Sequence, residues 1–415
     1  MNINGERLWR HLLSLGSIGK AEEGGGLRRF SFTEPEKDAK SFVRKLMEDA
    51  GLSVSEDGIG NLIGRKEGKD PEAKTLIIGS HLDTVQNGGI FDGALGVLAG
   101  IEVLHTLQDN GIETESAVEV IAFTDEEGAR FSSGLLGSHA VAGELTEEHL
   151  NGLKDEAGKS LKEAMLDFGY DPSLLQTAKR DPGTIKAYLE LHIEQGKLLE
   201  TNHLSAGIVT AIVGVKWLSI KLTGEAGHAG TTPMYLRKDP LAAAGKIISF
   251  IEDLIVTYDQ AVATVGRVNV IPGGINIIPA EVEFSIDLRD SSQVIMEEIE
   301  GKIRAYIENI CLDREIFFEI EELHHLKPAQ CSSNIIQAFE AGFENRKLES
   351  FQLVSGAAHD AMIMANITDM GMLFIRSQNG ISHNPQEWSE KSDVIDGTNI
   401  LLDSVLLLAT GSMKS

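Results

Sequence analysis

Three histidines and three carboxylates fall where this chain could hold metal. His81 follows the apolar run TLIIGS (75–80). Glu126 and Glu127 follow AVEVIAFT (117–124). His192 closes on AYLELHI (187–193), and His383 lies in the polar loop after GMLFIR (371–376). Asp92 stands between Phe91 and Gly93, where a helix-patterned stretch begins. Imidazole and carboxylate together suit Zn²⁺, Mn²⁺, Co²⁺ or Ni²⁺, and no thiolate is offered. An aspartate has two oxygens and can bridge two ions, which then share a water. Such a water becomes hydroxide near neutral pH. A carboxylate outside the coordination set can take its proton and pass it on. Glu126 and Glu127 are adjacent, so in a loop one can bind metal while the other faces substrate. Asp83, two residues after His81, is placed to hold the second imidazole nitrogen. Any one of these histidines alone is more often structural, and a Glu-Glu pair is usually a solvated turn. Their conjunction at four strand ends is the argument for a metal site.

The elements that must position these residues can be read from periodicity. The four apolar runs are short and rich in β-branched residues, as buried strands are. Thr33-Glu34-Pro35-Glu36 reads as a capping box opening a helix that runs to about Gly51. GALGVLAGIEVLHTL (93–107) has helical spacing. Strands alternating with helices predict an α/β fold with a mainly parallel sheet flanked by helices. In such sheets ligands sit outside the carboxyl ends of the strands, which is where the candidate ligands fall.

Residues 212–327 have another texture. VKWLSIKLTG, VGRVNVIPG and AEVEFSIDLR alternate, with helices expected at 239–257 and 291–310. In VEFSIDLR, Val282, Phe284, Ile286 and Leu288 share one face, and Glu283, Ser285, Asp287 and Arg289 the other, a half-solvated sheet. The expectation is an α+β domain at 212–327 inserted into a catalytic domain made of 1–211 and 328–415.

Bulk properties exclude several classes. The 415 residues suit two domains, and 42% apolar with 24% charged residues suits a soluble globular chain. The net charge of −26 and the lack of a basic stripe argue against nucleic acid as a partner. No stretch approaches the roughly 18 apolar residues of a membrane span, and the first residues lack the apolar core of a signal peptide. Cys311 and Cys331 form no CxxC pair, so neither a disulfide framework nor a thiolate site is expected, and a cytoplasmic setting fits.

Eight segments carry a resemblance to a known family: GSHLDTV (79–85), FDGALGV (91–97), FTDEEGARF (123–131), ELHIEQG (190–196), GHAGTTPM (227–234), INIIP (275–279), SGAAHDA (355–361) and ISHNPQEW (381–388). In this order they resemble the hydantoinase/carbamoylase family, the amidohydrolase branch of the aminoacylase-like dinuclear metallopeptidases. The resemblance implies a zinc-peptidase-like α/β domain with an inserted lid or dimerisation domain, and two divalent ions (Mn²⁺, Zn²⁺, Co²⁺ or Ni²⁺) per subunit. It matches His81, Asp92, Glu127, His192 and His383 to the metal ligands, with Asp92 bridging, and Glu126 to the general base and acid. Gln195 matches a residue near the substrate's ureido group. His228 matches a histidine that polarises the scissile carbonyl from across a dimer. Asn276 and Arg289 match residues that grip the substrate carboxylate, a role a guanidinium fits through two parallel bonds. Backbone groups at Gly356 and Ala357 are expected to contact substrate. Many relatives carry glycine at the place of Ala358, and a methyl group there narrows the pocket. His359 is read as a support residue. The implied reaction is hydrolysis of an N-carbamoyl-L-amino acid to amino acid, CO₂ and ammonia, in a homodimer. Allantoate is the nearest alternative substrate. β-Ureidopropionase and peptidase activities are more distant, and a binding protein that kept the fold is the alternative from another class.

Overall fold

The computed structural model describes residues 1–21 and 24–410. The chain forms two compact units, one of residues 1–210 and 330–415 and one of 211–329.

The first unit is built on a nine-stranded sheet. Its strands are β1 (Ser53–Glu56), β2 (Leu62–Lys66), β3 (Thr75–His81), β4 (Val118–Phe123), β5 (Ile185–Ile193), β6 (Ala206–Ile212), β7 (Ala329–Gln330), β8 (Gln352–Ser355) and β9 (Met370–Ile375). The spatial order is β1-β2-β4-β3-β5-β9-β6-β7, with β8 also on β6. The four central strands β4, β3, β5 and β9 are parallel. The pairs β1–β2, β2–β4 and β9–β6 are antiparallel. Every residue of β3, β4 and β9 is buried, as expected where neither sheet face meets water.

The helices of this unit that bear on the site are α1 (Gly5–Leu15), α2 (Glu34–Asp49), α3 (Ala94–Asp109), α4 (Ser333–Arg346), α5 (Asp360–Met364) and α6 (Lys391–Ala409). Leu189, Leu191 and Ile193 of β5 join the core formed with α1, α2, α3, α4 and α6. By strand alternation Tyr188, Glu190 and His192 face the other way. They too are shielded from solvent, so that face must satisfy its polar groups internally.

The capping box expected at Thr33 does not form. The Thr33 hydroxyl donates to the Phe30 carbonyl (2.6 Å) instead of accepting a helix N–H. Glu36 still accepts from the backbone N–H of Phe32 (2.6 Å), and its other oxygen pairs with Lys40 (3.0 Å). The pair is buried.

The second unit carries a sheet whose long strands, Gly214–Thr223, Glu281–Asp290 and Phe317–Leu326, are antiparallel. Glu281–Asp290 alternates without a break between half-buried and buried residues. Val282, Phe284, Ile286 and Leu288 pack with Ile247 and Ile251 of helix Pro240–Ile255 and with Ile299, Ile303 and Ile307 of helix Gln293–Asp313. No helix among the described residues is long and apolar enough to cross a membrane. Cys311 and Cys331 are free and buried.

Candidate metal centre

The parallel strands deliver their polar ends to one place. Asp92 lies at its middle. Its Oδ1 is 3.2 Å from Nε2 of His192 and 3.7 Å from Nε2 of His81. Its Oδ2 is 3.2 Å from Nε2 of His383. Glu127 stands beyond His383, with Oε2 3.4 Å from the same Nε2. Two of the residue groups that could hold an ion share Asp92: His81, Asp92 and His192 on one side, Asp92, Glu127 and His383 on the other. All five expected ligands are brought together. Four are nearly inaccessible, and His383 is half exposed.

The imidazoles are oriented from behind. Nδ1 of His81 donates to the carbonyl of Asp83 (3.0 Å), and Nδ1 of His192 to the carbonyl of Ile193 (3.0 Å). With Nδ1 carrying the proton, each Nε2 presents a lone pair to Asp92, the arrangement a metal ligand needs. Asp83 acts differently from the expectation. Its backbone carbonyl holds His81, while its carboxylate lies 3.6 Å from Nδ1. The carboxylate instead accepts the backbone N–H groups of Glu126 and Glu127, each at 3.1 Å. Asp83 thereby fixes the turn that carries both glutamates.

Glu126 projects toward the cluster, with Oε2 3.6 Å from Nε2 of His81. Burial and the neighbouring carboxylates of Glu127 and Asp360 raise its pKa well above the usual carboxylate range. Glu127 is raised likewise, by burial and by Asp92 and Asp83. Oε1 of Glu127 is buried and has no hydrogen-bond partner. A concentration of buried carboxylates with an orphaned oxygen, faced by imidazole lone pairs, fits a divalent cation by the chemistry of its donors.

The backbone bends sharply here. Asp125, Gln195 and His383 adopt positive φ (57°, 56° and 54°), and so does Gly93 (62°). A Cβ on Gly93 would overlap the His81 ring, so glycine lets the Asp92 turn approach the imidazole. Gln195 reaches Oδ2 of Asp92 (3.3 Å) and Oγ of Ser382 (3.2 Å) with its amide nitrogen, leaving its carbonyl oxygen without a partner. His359 packs edge-on against His192, with ring centroids 4.5 Å apart, and its Nε2 is 3.0 Å from Oγ of Ser355. The N–H of Ala357 turns inward to that same hydroxyl (3.2 Å), and Gly356 is exposed beside it.

The remaining expected residues belong to the second unit. Exposed His228 pairs with Ile277 across a short ladder, and the Asn276 carbonyl accepts from the N–H of Ala229 (3.0 Å). His228 and Asn276 are thus neighbours. Arg289 lies elsewhere on this unit, with its fork engaged by Asp287 (Nε–Oδ1 3.0 Å, Nη2–Oδ2 2.9 Å).

Four buried carboxylates at the site were not anticipated. Glu190 accepts from Oγ of Ser80 (2.8 Å), the Tyr188 hydroxyl (2.9 Å) and the N–H of Ala361 (3.1 Å). Asp125 bonds the Ser31 hydroxyl. Asp360 opens α5, and Glu387 accepts the N–H of Asp92 (3.1 Å). Glu190 had a signal, a carboxylate inside the apolar run AYLELHI. Glu387 follows His383 by four residues, beside Trp388, and nothing in the spacing names its partners.

Residues 77–406 match the model described as Peptidase family M20/M25/M40. The chain is 49% identical over 409 residues to an N-carbamoyl-L-amino acid amidohydrolase of Geobacillus stearothermophilus, covering 99% of this chain and 100% of that one. It is 36% identical over 394 residues to an allantoate amidohydrolase of Bacillus subtilis, covering 94% of each. A crystal structure of a hydantoinase/carbamoylase family amidase from Burkholderia multivorans superposes with a TM-score of 0.89 at 33% identity, over 99% of this chain and 98% of that one.

Proposed function

We infer the function from one premise: the chain belongs to peptidase family M20/M25/M40 and, within it, to the hydantoinase/carbamoylase amidases. It is a metal-dependent hydrolase of a linear amide. We propose that it cleaves the ureido C–N bond of N-carbamoyl-L-amino acids, giving the L-amino acid, CO₂ and ammonia. The observation that carries this reading is Asp92, shared between two sets of three ligands. We assign two divalent ions to these sets, drawn from Mn²⁺, Zn²⁺, Co²⁺ and Ni²⁺. Bound there, they supply Lewis acidity toward a water and toward the ureido carbonyl oxygen.

The protein's own groups do the rest. His81 and His192 are held with Nε2 inward by backbone carbonyls. Oε2 of Glu126 takes the proton of the attacking water and returns it to the departing nitrogen. The remaining carbamate then loses CO₂. Gln195 is assigned to the ureido group, His228 to the developing oxyanion, and Asn276 with Arg289 to the carboxylate. Gly356 and Ala357 are assigned to the wall of the substrate site.

Geometry within the second unit supports a homodimer. Thr223 pairs with Glu281 and Val215 with Arg289, while His228 pairs with Ile277 past the Glu281 end. Eight residues of strand separate Glu281 from Arg289, about 27 Å at roughly 3.4 Å each. Arg289 and His228 sit toward opposite ends of this strand order, which supports drawing them from different chains for one ureido acid. Two copies, one giving Arg289 and the other His228 and Asn276, would complete a site. The buried free thiols of Cys311 and Cys331 fit a reducing cytoplasmic setting.

Allantoate is the second reading, favoured by the 36% identical relative that bears that name. Ammonia release from N-carbamoyl-L-methionine and from allantoate, after loading with each metal, separates the two. Preference for the carbamoyl amino acid is expected. Preference for allantoate would replace the substrate and leave the site assignments standing.

A further inference from the structure

Glu387 lies almost fully buried beside the candidate metal centre, and none of the roles above uses it. Its carboxylate does two things at once. Oε1 accepts the backbone N–H of Phe91 (2.9 Å) and of Asp92 (3.1 Å). Oε2 accepts the hydroxyl of Ser382 (3.0 Å). That hydroxyl oxygen is also 3.2 Å from Oδ2 of Asp92 and accepts from Nε2 of Gln195 (3.2 Å). A hydroxyl has one proton, so Ser382 serves Glu387 or Asp92 but not both at once. One carboxylate thus ties the backbone of Asp92 to the loop that bears His383, across 295 residues of chain.

Two further observations point to the same contact. The indole of Trp388 packs edge-on against the Phe91 ring (5.4 Å) and the Trp9 ring (5.5 Å). Residues 387–388 therefore hold residues 91–92 by a carboxylate on backbone N–H groups and by an aromatic pair. A Cβ on Gly89 would fall on the Glu387 carboxylate, so glycine at 89 leaves the space the carboxylate occupies. Charge-assisted hydrogen bonds made away from water are strong and directional.

We propose that Glu387 is a positioning residue for the metal centre, setting the angle of Asp92 and its separation from His383. The inference rests on reading Asp92 and His383 as ligands. A carboxylate near the start of α3 would also act as an ordinary helix cap. A cap affects the stability of the fold, whereas a positioning residue affects how tightly and in what geometry an ion is held.

The test is cobalt binding to the full chain after chelation, read by chelator competition and by the visible spectrum of Co²⁺. The parent must first take up cobalt; a parent that takes up none overturns the metal reading and this inference with it. With a parent that binds, Glu387→Ala is expected to lose about 10- to 100-fold in affinity, the usual cost of removing an outer partner of a ligand, and to change the spectrum. Glu387→Gln keeps an oxygen for both N–H groups and is expected to restore the parental spectrum. Gly89→Ala, which displaces the carboxylate without deleting it, is expected to resemble Glu387→Ala and carries the test if that variant fails to fold. Parental affinity and spectrum in Glu387→Ala, or in Gly89→Ala where that variant carries the test, would overturn the proposal while leaving the metal reading intact. Equal defects in the Ala and Gln variants would overturn it as well.

Discussion

The strand-end cluster of the first unit and the polar set of the second solve opposite problems. Around Asp92 the carboxylates are buried, and several are bonded within their own unit: Asp83 to the 126–127 turn, Glu190 to Ser80 and Tyr188, Glu387 to residues 91–92, while Oε1 of Glu127 and the carbonyl oxygen of Gln195 have no partner. His228 and Asn276 are exposed, and Arg289 is occupied by Asp287 two residues away. The first arrangement is preorganised inside one chain, at the cost of crowding like charges. The second is presented outward. The proposed function puts the chemistry that needs fixed distances in the first, and recognition of a small acid in the second.

The largest effect should come from breaking the first region where it moves protons. Glu126→Gln is expected to lower kcat by about 10²- to 10⁴-fold and to leave metal content unchanged. Loss of metal with activity would instead make Glu126 a ligand.

Breaking the second region should cost binding. Arg289→Ala is expected to lower kcat/KM by about 10- to 100-fold, the worth of hydrogen bonds to a charged group, chiefly through KM. Mixing the impaired variants His228→Ala and Arg289→Ala, assayed at substrate low enough that each alone is slow, sharpens the contrast. If these residues come from different chains, half the dimers are mixed and each has one intact site, so about one quarter of parental activity returns in a symmetric dimer. No recovery would place both residues of each site on one chain.

Metal should stabilise the crowded region. At a free ion concentration about a hundredfold above Kd, each bound ion is expected to add about 2.7 kcal/mol to the cost of unfolding, seen as a raised Tm. An unchanged Tm would mean the buried carboxylates satisfy one another without an ion. The smallest effect is expected at Asp287→Asn, which releases Arg289 from a partly exposed pair worth about 0–1 kcal/mol. KM should fall by up to about fivefold, with kcat unchanged.

The same contrast explains what could be read in the sequence. β3, β4, β5 and β9 are apolar runs with period and length enough to recognise, and their ends carry the ligand residue types, so the cluster around Asp92 was legible. The Asp83 carboxylate was expected on the His81 imidazole and instead holds the Glu126 and Glu127 N–H groups, and Asp125 and Glu387 were not assigned, because these roles depend on backbone N–H groups and hydroxyls brought close only by folding. For Glu387 the N–H groups it accepts from lie almost 300 residues away. The Thr33 capping box was misread because the motif is a local rule, and a hydrogen bond to Phe30 and the buried Glu36–Lys40 pair outweighed it. Arg289 was read correctly as facing away from the core. Its engagement by Asp287 follows from the same alternation, since residues two apart on a strand share a face.

The most direct test of the central assignment is a metal titration of the chelated protein, following ammonia release from N-carbamoyl-L-methionine in parent and Glu126→Gln side by side. Activity of the parent should rise to a plateau at two ions per chain, while Glu126→Gln binds the same two ions and stays inactive. Full activity without added metal, a plateau at one ion, or turnover by a metal-loaded Glu126→Gln would contradict the account.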